Sequence, residues 1–186
     1  MKAIMMSIRP QWIAKILNKE KTIEIRKRFP KDYVGWVYIY CTKEQGLARL
    51  NNNSWNDTFI AEKEITNDNF KHIYSGYDGK GKVVARFWCD NVEEIKVETA
   101  PFDSNLIHWE TKTLSMFDIC QKSCLSEKEL YNYLQGKNGY AIHITKLEIF
   151  DKPKEISEFL IPKETKYTIE WKELTKAPQS YCFIEI

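Results

Sequence analysis

The sequence predicts an α+β fold in which several long strands close into a small barrel flanked by helices. Three observations carry this expectation. Alternating or continuously apolar stretches recur along the chain, and helical periodicity marks two main segments spread between them. No glycine-rich phosphate loop follows a strand, which disfavours a doubly wound sheet serving a nucleotide-dependent motor or a dehydrogenase. At 186 residues, with 43% hydrophobic and 13% aromatic content, the chain reads as one domain spanning 1–186 with a real core.

The elements follow in order. AIMMSI (3–8) reads as a short buried strand, broken by Arg9 and Pro10. Pro10 suits the first turn of a helix, where its missing N–H costs nothing. PQWIAKILNKE then places Trp12, Ile13, Ile16 and Leu17 on one helical stripe, read as core packing. KTIEIRKR (21–28) alternates: Ile23 and Ile25 face one way, Thr22, Glu24 and Arg26 the other. GWVYIYCT (35–42) is a strand rich in aromatic and β-branched residues. From 43 to 80 the pattern weakens. NNNSWND and SGYDGKGK carry turn chemistry, FIAEKEITNDNFKHI has room for a helix or two, and the stretch reads as an insertion.

GKVVARFWCDNVEEIKV (81–97) is expected as one long strand, with a second insertion at about 98–120. SEKELYNYLQG is a well-marked helix: Ser126 caps it, Glu129 completes a capping box and Gly136 ends it. GYAIHITKLEIF (139–150) reads as another long strand, DKPKEISEF as a short helical turn begun at Pro153, and YCFIEI as the closing strand.

Twenty-eight Lys and Arg against 26 Asp and Glu leave a net charge of +2. That does not support a surface coated for long duplex DNA, yet leaves room for a local basic cleft serving a short strand, a nucleotide or another small anion. Cys41, Cys89, Cys120, Cys124 and Cys182 are an odd set in mainly apolar surroundings, as expected of buried reduced thiols in a cytoplasmic protein. CQKSC brings Cys120 and Cys124 near one another, but there is no clear second pair, and His72, His108 and His143 are isolated. No metal and no cofactor is expected. MKAIMMSIRPQW has too short an apolar run for a leader, and no stretch approaches the roughly 20 apolar residues of a membrane span.

The polar face of KTIEIRKR raises the functional question. A hydroxyl, a carboxylate and a guanidinium occupy successive same-face positions about 6.5–7 Å apart, with Lys21 at the mouth. The bland reading is a surface ion pair between Glu24 and Arg26, worth about 0–1 kcal/mol. Against it, the Arg9–Pro10 turn can deliver a second guanidinium to the same end, and Trp12, Trp36, Tyr38 and Tyr40 offer stacking surfaces for a base.

SIRPQWIAKILNKEKTIEIRKRFP resembles the opening of the ASCH domain, a branch of the PUA-like superfamily: strand, turn with proline, helix, then a Lys-Thr-x-x-x-Arg strand. GWVYIYCT and GKVVARFWCD resemble its next barrel strands. The stretch from Leu125 to Phe159 and the tail APQSYCFIEI resemble the closing half of longer, phage- and prophage-type members. The resemblance implies a PUA-like β-barrel with a basic cleft for RNA or modified nucleosides. Some small members are N4-acetylcytidine amidohydrolases proposed to use a lysine, a threonine nucleophile and a distant glutamate. On this sequence the lysine falls on Lys21, the first threonine of the motif on Thr22 and the arginine on Arg26, but the nucleophilic threonine falls on Glu24. A carboxylate cannot supply that hydroxyl, although it can act as a general base or accept from an exocyclic amine. The distant glutamate has no assigned position; Glu62 and Glu64 lie in the weakly patterned stretch. Other members are proposed metal-dependent ribonucleases, and no carboxylate cluster at metal spacing supports that here.

With the last strand near the first, Gln179, Ser180 and Tyr181 can face the same cleft, Gln and Ser reading base edges and Tyr stacking. The expected ligand-binding set is therefore Arg9, Pro10, Trp12, Lys21, Thr22, Glu24, Arg26, Gln179, Ser180 and Tyr181. The expected partner is RNA, single-stranded nucleic acid with a flipped base, or a free nucleoside, with no membrane. The competing expectations are a hydrolase using Lys21, Glu24 and Thr22, and a protein-interaction domain whose basic cleft is incidental.

Overall fold

The structure is a computed structural model that describes residues 2–50, 58–62, 74–100, 103–164 and 169–186. Strand β1 (Lys2–Ile8) leads into helix α1 (Pro10–Leu17), followed by β2 (Ile23–Arg26) and β3 (Gly35–Cys41). The weakly patterned stretch supplies β4 (Gly46–Leu50), β5 (Thr58–Glu62) and β6 (Tyr74–Asp78). Next come β7 (Val83–Cys89), β8 (Val92–Ala100), β9 (Asp103–Glu110), α2 (Met116–Ser123) and α3 (Glu127–Leu134). The chain finishes with β10 (Gly139–His143), β11 (Thr145–Lys154), a single 3-10 turn (Ile156–Glu158), β12 (Leu160–Glu164), β13 (Ile169–Glu173) and β14 (Tyr181–Glu185). The α+β class holds, with sheet predominating over three helices among the described residues.

Four expectations change. Residues 81–97 form two strands, because Asp90 and Asn91 break the run and send β7 and β8 into different sheets. Residues 139–150 likewise divide at Ile144, whose N–H donates to the Thr22 carbonyl instead of continuing a ladder (3.0 Å). Residues 59–62 are strand rather than helix, since β5 pairs antiparallel with β4, Leu47 opposite Ala61. The rest of that expectation, 63–73, lies outside the described residues. Finally, Pro153 lies within β11, and the short turn begins only after Glu155. The 98–120 stretch holds β9 and most of α2.

The chain forms two compact units. The first combines Met1–Asn18, Gly35–Phe87 and Lys146–Ile186; the second combines Lys19–Val34 and Trp88–Thr145. In the first, a seven-stranded sheet runs β11-β7-β3-β1-β14-β12-β13, and β4 lies between β5 and β6 in a smaller sheet. The central β1 is parallel to β3 and antiparallel to β14, with Met6 opposite both Ile39 and Tyr181. Ala3, Met5, Tyr38, Tyr40, Phe159 and Ile184 pack on one face of it. Helix α1 buries Ile13, Ala14, Ile16 and Leu17, and the Asn18 amide after it exchanges two hydrogen bonds of 2.9 Å with the Phe59 backbone.

The second unit is a four-stranded sheet, β2-β10-β8-β9, with α2 and α3 against one face. Ile23, Ile25, Ile95 and Ala141 of the sheet meet Ile119, Leu130 and Leu134 of the helices. Full burial of each such aliphatic side chain stabilises by about 1.5–3 kcal/mol. The α3 capping box forms as the sequence predicts: the Ser126 hydroxyl accepts from the Glu129 N–H, and the Glu129 carboxylate accepts from the Ser126 N–H. Gln135 and Gly136 both take left-handed backbone at its end (φ 56° and 65°). Gly139 begins β10 under a steric constraint, because an added Cβ would lie 2.7 Å from Leu134 Cδ2 and 3.1 Å from the Arg26 carbonyl. Among the described residues, no helix is long and apolar enough to cross a membrane.

Candidate ligand-binding site

Strand β2 is only four residues long, and all four are buried. The alternation of Ile23 and Ile25 into the core is as expected, but Glu24 and Arg26 do not face solvent. Lys21, Glu24 and Arg26 are 3%, 7% and 9% exposed, whereas Thr22 is exposed. Lys21 Nζ donates to the Ser123 carbonyl at the C-terminal end of α2 (2.7 Å) and lies 3.3 Å from Glu24 Oε2. Arg26 Nη2 lies 3.0 Å from Glu24 Oε1. A helix C-terminus carries carbonyls without intrahelical partners and a partial negative charge, so Ser123 supplies a fitting receptor for an ammonium.

Lys21 and Arg26 therefore share the Glu24 carboxylate in a poorly solvated place. Burial holds the Lys21 amine below its ordinary proton affinity; the Glu24 charge and hydrogen bond oppose that, as does the neighbouring Cys124 thiol. The arrangement can draw an anion or a carbonyl oxygen toward Lys21 and Arg26, while Glu24 fixes their separation.

Tyr133 on α3 belongs to the same neighbourhood, and sequence reasoning missed it. Burial pushes its phenol up, Arg26 draws it down and Glu24 pushes it up again. The Lys27 backbone N–H donates to the phenol oxygen, and Lys27 Nζ lies 5.6 Å from the ring centroid. A signal existed: Tyr133 stands three residues after Leu130 and one before Leu134, beside the buried helical stripe.

The remaining expected residues lie in the first unit. The Arg9 carbonyl accepts from the N–H groups of Trp12 and Ile13, Pro10 is buried at the first helical position, and Trp12 is half-buried. The Arg9 guanidinium makes an exposed pair with Glu44 (3.3 Å). The tail meets this end of β1 as expected: Ser7 donates through its N–H to the Ser180 carbonyl (3.0 Å) and through its hydroxyl to the Pro178 carbonyl (2.6 Å). Gln179 is exposed, Ser180 and Tyr181 are half-buried, and the Tyr181 ring meets Phe183 edge-on. Within this unit, Arg9, Pro10, Trp12 and Gln179, Ser180, Tyr181 thus share one end of β1.

The proposed stacking aromatics do not all survive. Tyr38 and Tyr40 are core residues, 5% exposed. Trp36 is half-exposed, but the Arg86 guanidinium lies 4.1 Å from its ring centroid, fixed by two 2.7 Å contacts to Glu148 Oε2 and a 3.1 Å bond to the Tyr38 hydroxyl. Glu62 ends β5 in an exposed position, and Glu64 lies outside the described residues. All five cysteines are free, but only Cys41 and Cys89 are buried; Cys120, Cys124 and Cys182 are half-buried. Among the described residues, no group of three or more His, Cys, Asp or Glu is placed to hold a metal ion.

The second unit contains another cluster, which no local sequence pattern marks. Glu93 on β8 is 7% exposed, and its carboxylate accepts from the Thr111 hydroxyl (2.6 Å), the Thr113 hydroxyl (2.7 and 2.8 Å) and the Thr113 N–H (3.1 Å). The Asn91 amide adds a 3.3 Å bond, and His143 Nε2 lies 2.9 Å from Oε1. Burial raises the proton affinity of Glu93, but these donors together outweigh it and hold the carboxyl below its usual range. A cavity of about 600 Å³ adjoins it, lined among others by Asn91, Lys96, Thr111 and Lys112. None of the residues expected from the sequence lines that cavity.

Among solved structures, the chain shares the fold of ASCH domains. The likeness is to the crystal structure of ASCH from Zymomonas mobilis, with a TM-score of 0.54, 13% identity, and 98% of this chain and 87% of that one covered. A tyrosine-to-phenylalanine variant of that protein matches with a TM-score of 0.51 at 12% identity, covering 98% of this chain and 90% of that one. A serine-to-alanine variant gives 0.51 at 12% identity, covering 98% and 88%. At these identities the similarity is one of fold. No family model and no curated protein matches the sequence.

Proposed function

We propose that this chain is a PUA-like, ASCH-type domain of the cytoplasm that binds RNA, another single-stranded nucleic acid or a free modified nucleoside through the Lys21–Glu24–Arg26 cluster. One observation supports the reading: two basic side chains, Lys21 and Arg26, converge on the single Glu24 carboxylate, a concentration of basic groups suited to a phosphate or a base carbonyl. Thr22, exposed beside the cluster, is a further hydrogen-bonding group, and Tyr133 supplies a partly exposed ring for stacking. Arg9, Pro10 and Trp12, with Gln179, Ser180 and Tyr181, form a second contact region of the same function.

The test is polarisation of labelled, mixed-sequence single-stranded RNA over a salt series. Lys21→Ala and Arg26→Ala should each weaken binding at least about tenfold and lower the salt slope by about 0.7. Affinity independent of salt, or unchanged in both variants, rejects the proposal. A hydrolase reading is favoured by the lowered proton affinity of Lys21 beside a carboxylate able to act as general base. In that case Glu24→Gln abolishes turnover of an acetylated nucleoside while leaving affinity intact, and joint loss points back to binding.

A further inference from the structure

We propose that Glu93 is a positioning residue for Lys21, acting through helix α2. This rests on the reading of Lys21 as part of the ligand site, and it concerns how that site is held in shape.

The two ends of α2 are tied to different groups. Ahead of it, Glu93 grips the 111–113 turn through both threonine hydroxyls and one backbone N–H. The Thr111 hydroxyl in turn accepts from the Leu114 N–H (2.8 Å), and the Thr111 N–H donates to the Leu114 carbonyl (3.0 Å). Ser115 then caps the helix, its hydroxyl accepting from the Asp118 N–H while the Asp118 carboxylate accepts from the Ser115 N–H. At the far end, the Lys122 carbonyl accepts from the Thr22 N–H (2.9 Å) and the Ser123 carbonyl accepts from Lys21 Nζ (2.7 Å). The helix between has eight residues, about 12 Å of rigid rod.

Apolar packing alone does not fix this geometry. Leu114 and Ile119 anchor the helix in the core, but such contacts are non-directional and set its depth better than its position along its own axis. Hydrogen bonds are directional, and they fall off steeply with distance and angle. The Glu93 contacts therefore set where the helix starts, and so where the Ser123 carbonyl meets the Lys21 ammonium. A displacement of a few tenths of an ångström at the turn passes along the rod to that carbonyl. His143 holds Glu93 from the other side: an ionised carboxylate has no proton to give, so Nε2 carries the hydrogen in their 2.9 Å contact.

The experiment reads Lys21 directly. The Lys21 ammonium resonance, assigned by its loss in Lys21→Met, is followed by nitrogen-15 NMR in Glu93→Gln, Thr113→Val and Thr113→Ser. Glu93→Gln and Thr113→Val should shift the resonance, speed its hydrogen exchange about fivefold, and weaken single-stranded RNA binding about fivefold. Thr113→Ser keeps the hydroxyl and should leave all three readouts at their wild-type values. A lowered melting temperature with an unchanged Lys21 resonance would reduce Glu93 to a clamp of the fold and overturn the inference. If Glu93→Gln fails to fold, the exposed Thr113 pair decides alone. Should the wild type bind no RNA, the proposed function falls, while the Lys21 resonance still settles the positioning role.

Discussion

Two buried glutamates occupy opposite faces of one four-stranded sheet. Ala141 pairs with both Ile25 and Glu93, and Ile142 pairs with both Glu24 and Val92, so Glu24 and Glu93 point to opposite sides. Each is 7% exposed, yet they are satisfied by different chemistry. Glu24 has charged partners, Lys21 and Arg26, which outnumber it. Glu93 has hydroxyls, amides and one imidazole. The first arrangement gathers basic side chains and is the one proposed above to serve a ligand. The second closes on itself and fixes a turn. The two carboxylates thus differ in the chemistry of their partners, charged groups for Glu24 and hydrogen-bond donors for Glu93.

The largest expected effect breaks the first cluster while sparing the second. Glu24→Ala takes an ion-pair partner from two buried basic side chains, a kind of loss that destabilises by about 3–5 kcal/mol. Glu93→Ala leaves neutral donors, Thr113 among them exposed, that can turn toward water, and should cost about 1–3 kcal/mol. Urea unfolding of both variants checks the order. Equal losses would mean that groups beyond the three already satisfy both basic side chains, and the contrast would collapse.

A second substitution separates charge from stability. Lys21→Met keeps volume and leaves Glu24 and Arg26 as a neutral pair, so folding stability should change by less than about 1 kcal/mol or rise. RNA affinity should nonetheless fall at least about tenfold, about 1.4 kcal/mol. Unfolding midpoints and polarisation on one preparation give both numbers. A large loss of stability with affinity intact would make the lysine structural.

The two clusters also differ in how far the sequence revealed them. Lys21, Glu24 and Arg26 fall within six positions, and period-two alternation separates Glu24 and Arg26 from Ile23 and Ile25 without any tertiary information, while Lys21 precedes the strand in the register of the isoleucines. Their burial did not follow, because a four-residue strand carries no local mark of what packs around it, such as the Ser123 carbonyl that Lys21 meets about a hundred residues away. The Glu93 cluster gathers residues from 91 to 143, with no local period linking them. Its strand was misread for the same reason: 81–97 alternates well, and only the competing sheet partners of β7 and β8 explain the break at Asp90 and Asn91. Two of the three helices were legible, since the Ser126–Glu129 capping box and the Pro10 start are local signals, but α2, read as part of an insertion, was missed despite its Ser115–Asp118 capping box. By contrast, β12 and β13 carry mixed charge and turn residues and gain their order only by pairing next to β14.

The pH dependence of stability, the smallest effect, sharpens the comparison at both ends of the scale. Glu93 binds its proton less tightly in the folded state than its ordinary value of 4.5 implies. It therefore contributes stability that is present above the unfolded value and is lost as pH falls through the lower folded value. The stability gap between wild type and Glu93→Gln should stay flat near neutrality and close in acid below about pH 4.5. Lys21 also has a lowered folded value, but as a cation: its ordinary value is 10.5, and burial holds the folded one beneath it. Unfolding then takes up protons in alkali, so wild type should gain stability relative to Lys21→Met as pH rises from the folded value toward 10.5. Unfolding midpoints across the pH range test both windows. An alkaline decline in that second difference would mean that Glu24 and the α2 carbonyl outweigh desolvation, making the Lys21 cluster as self-contained as the Glu93 one.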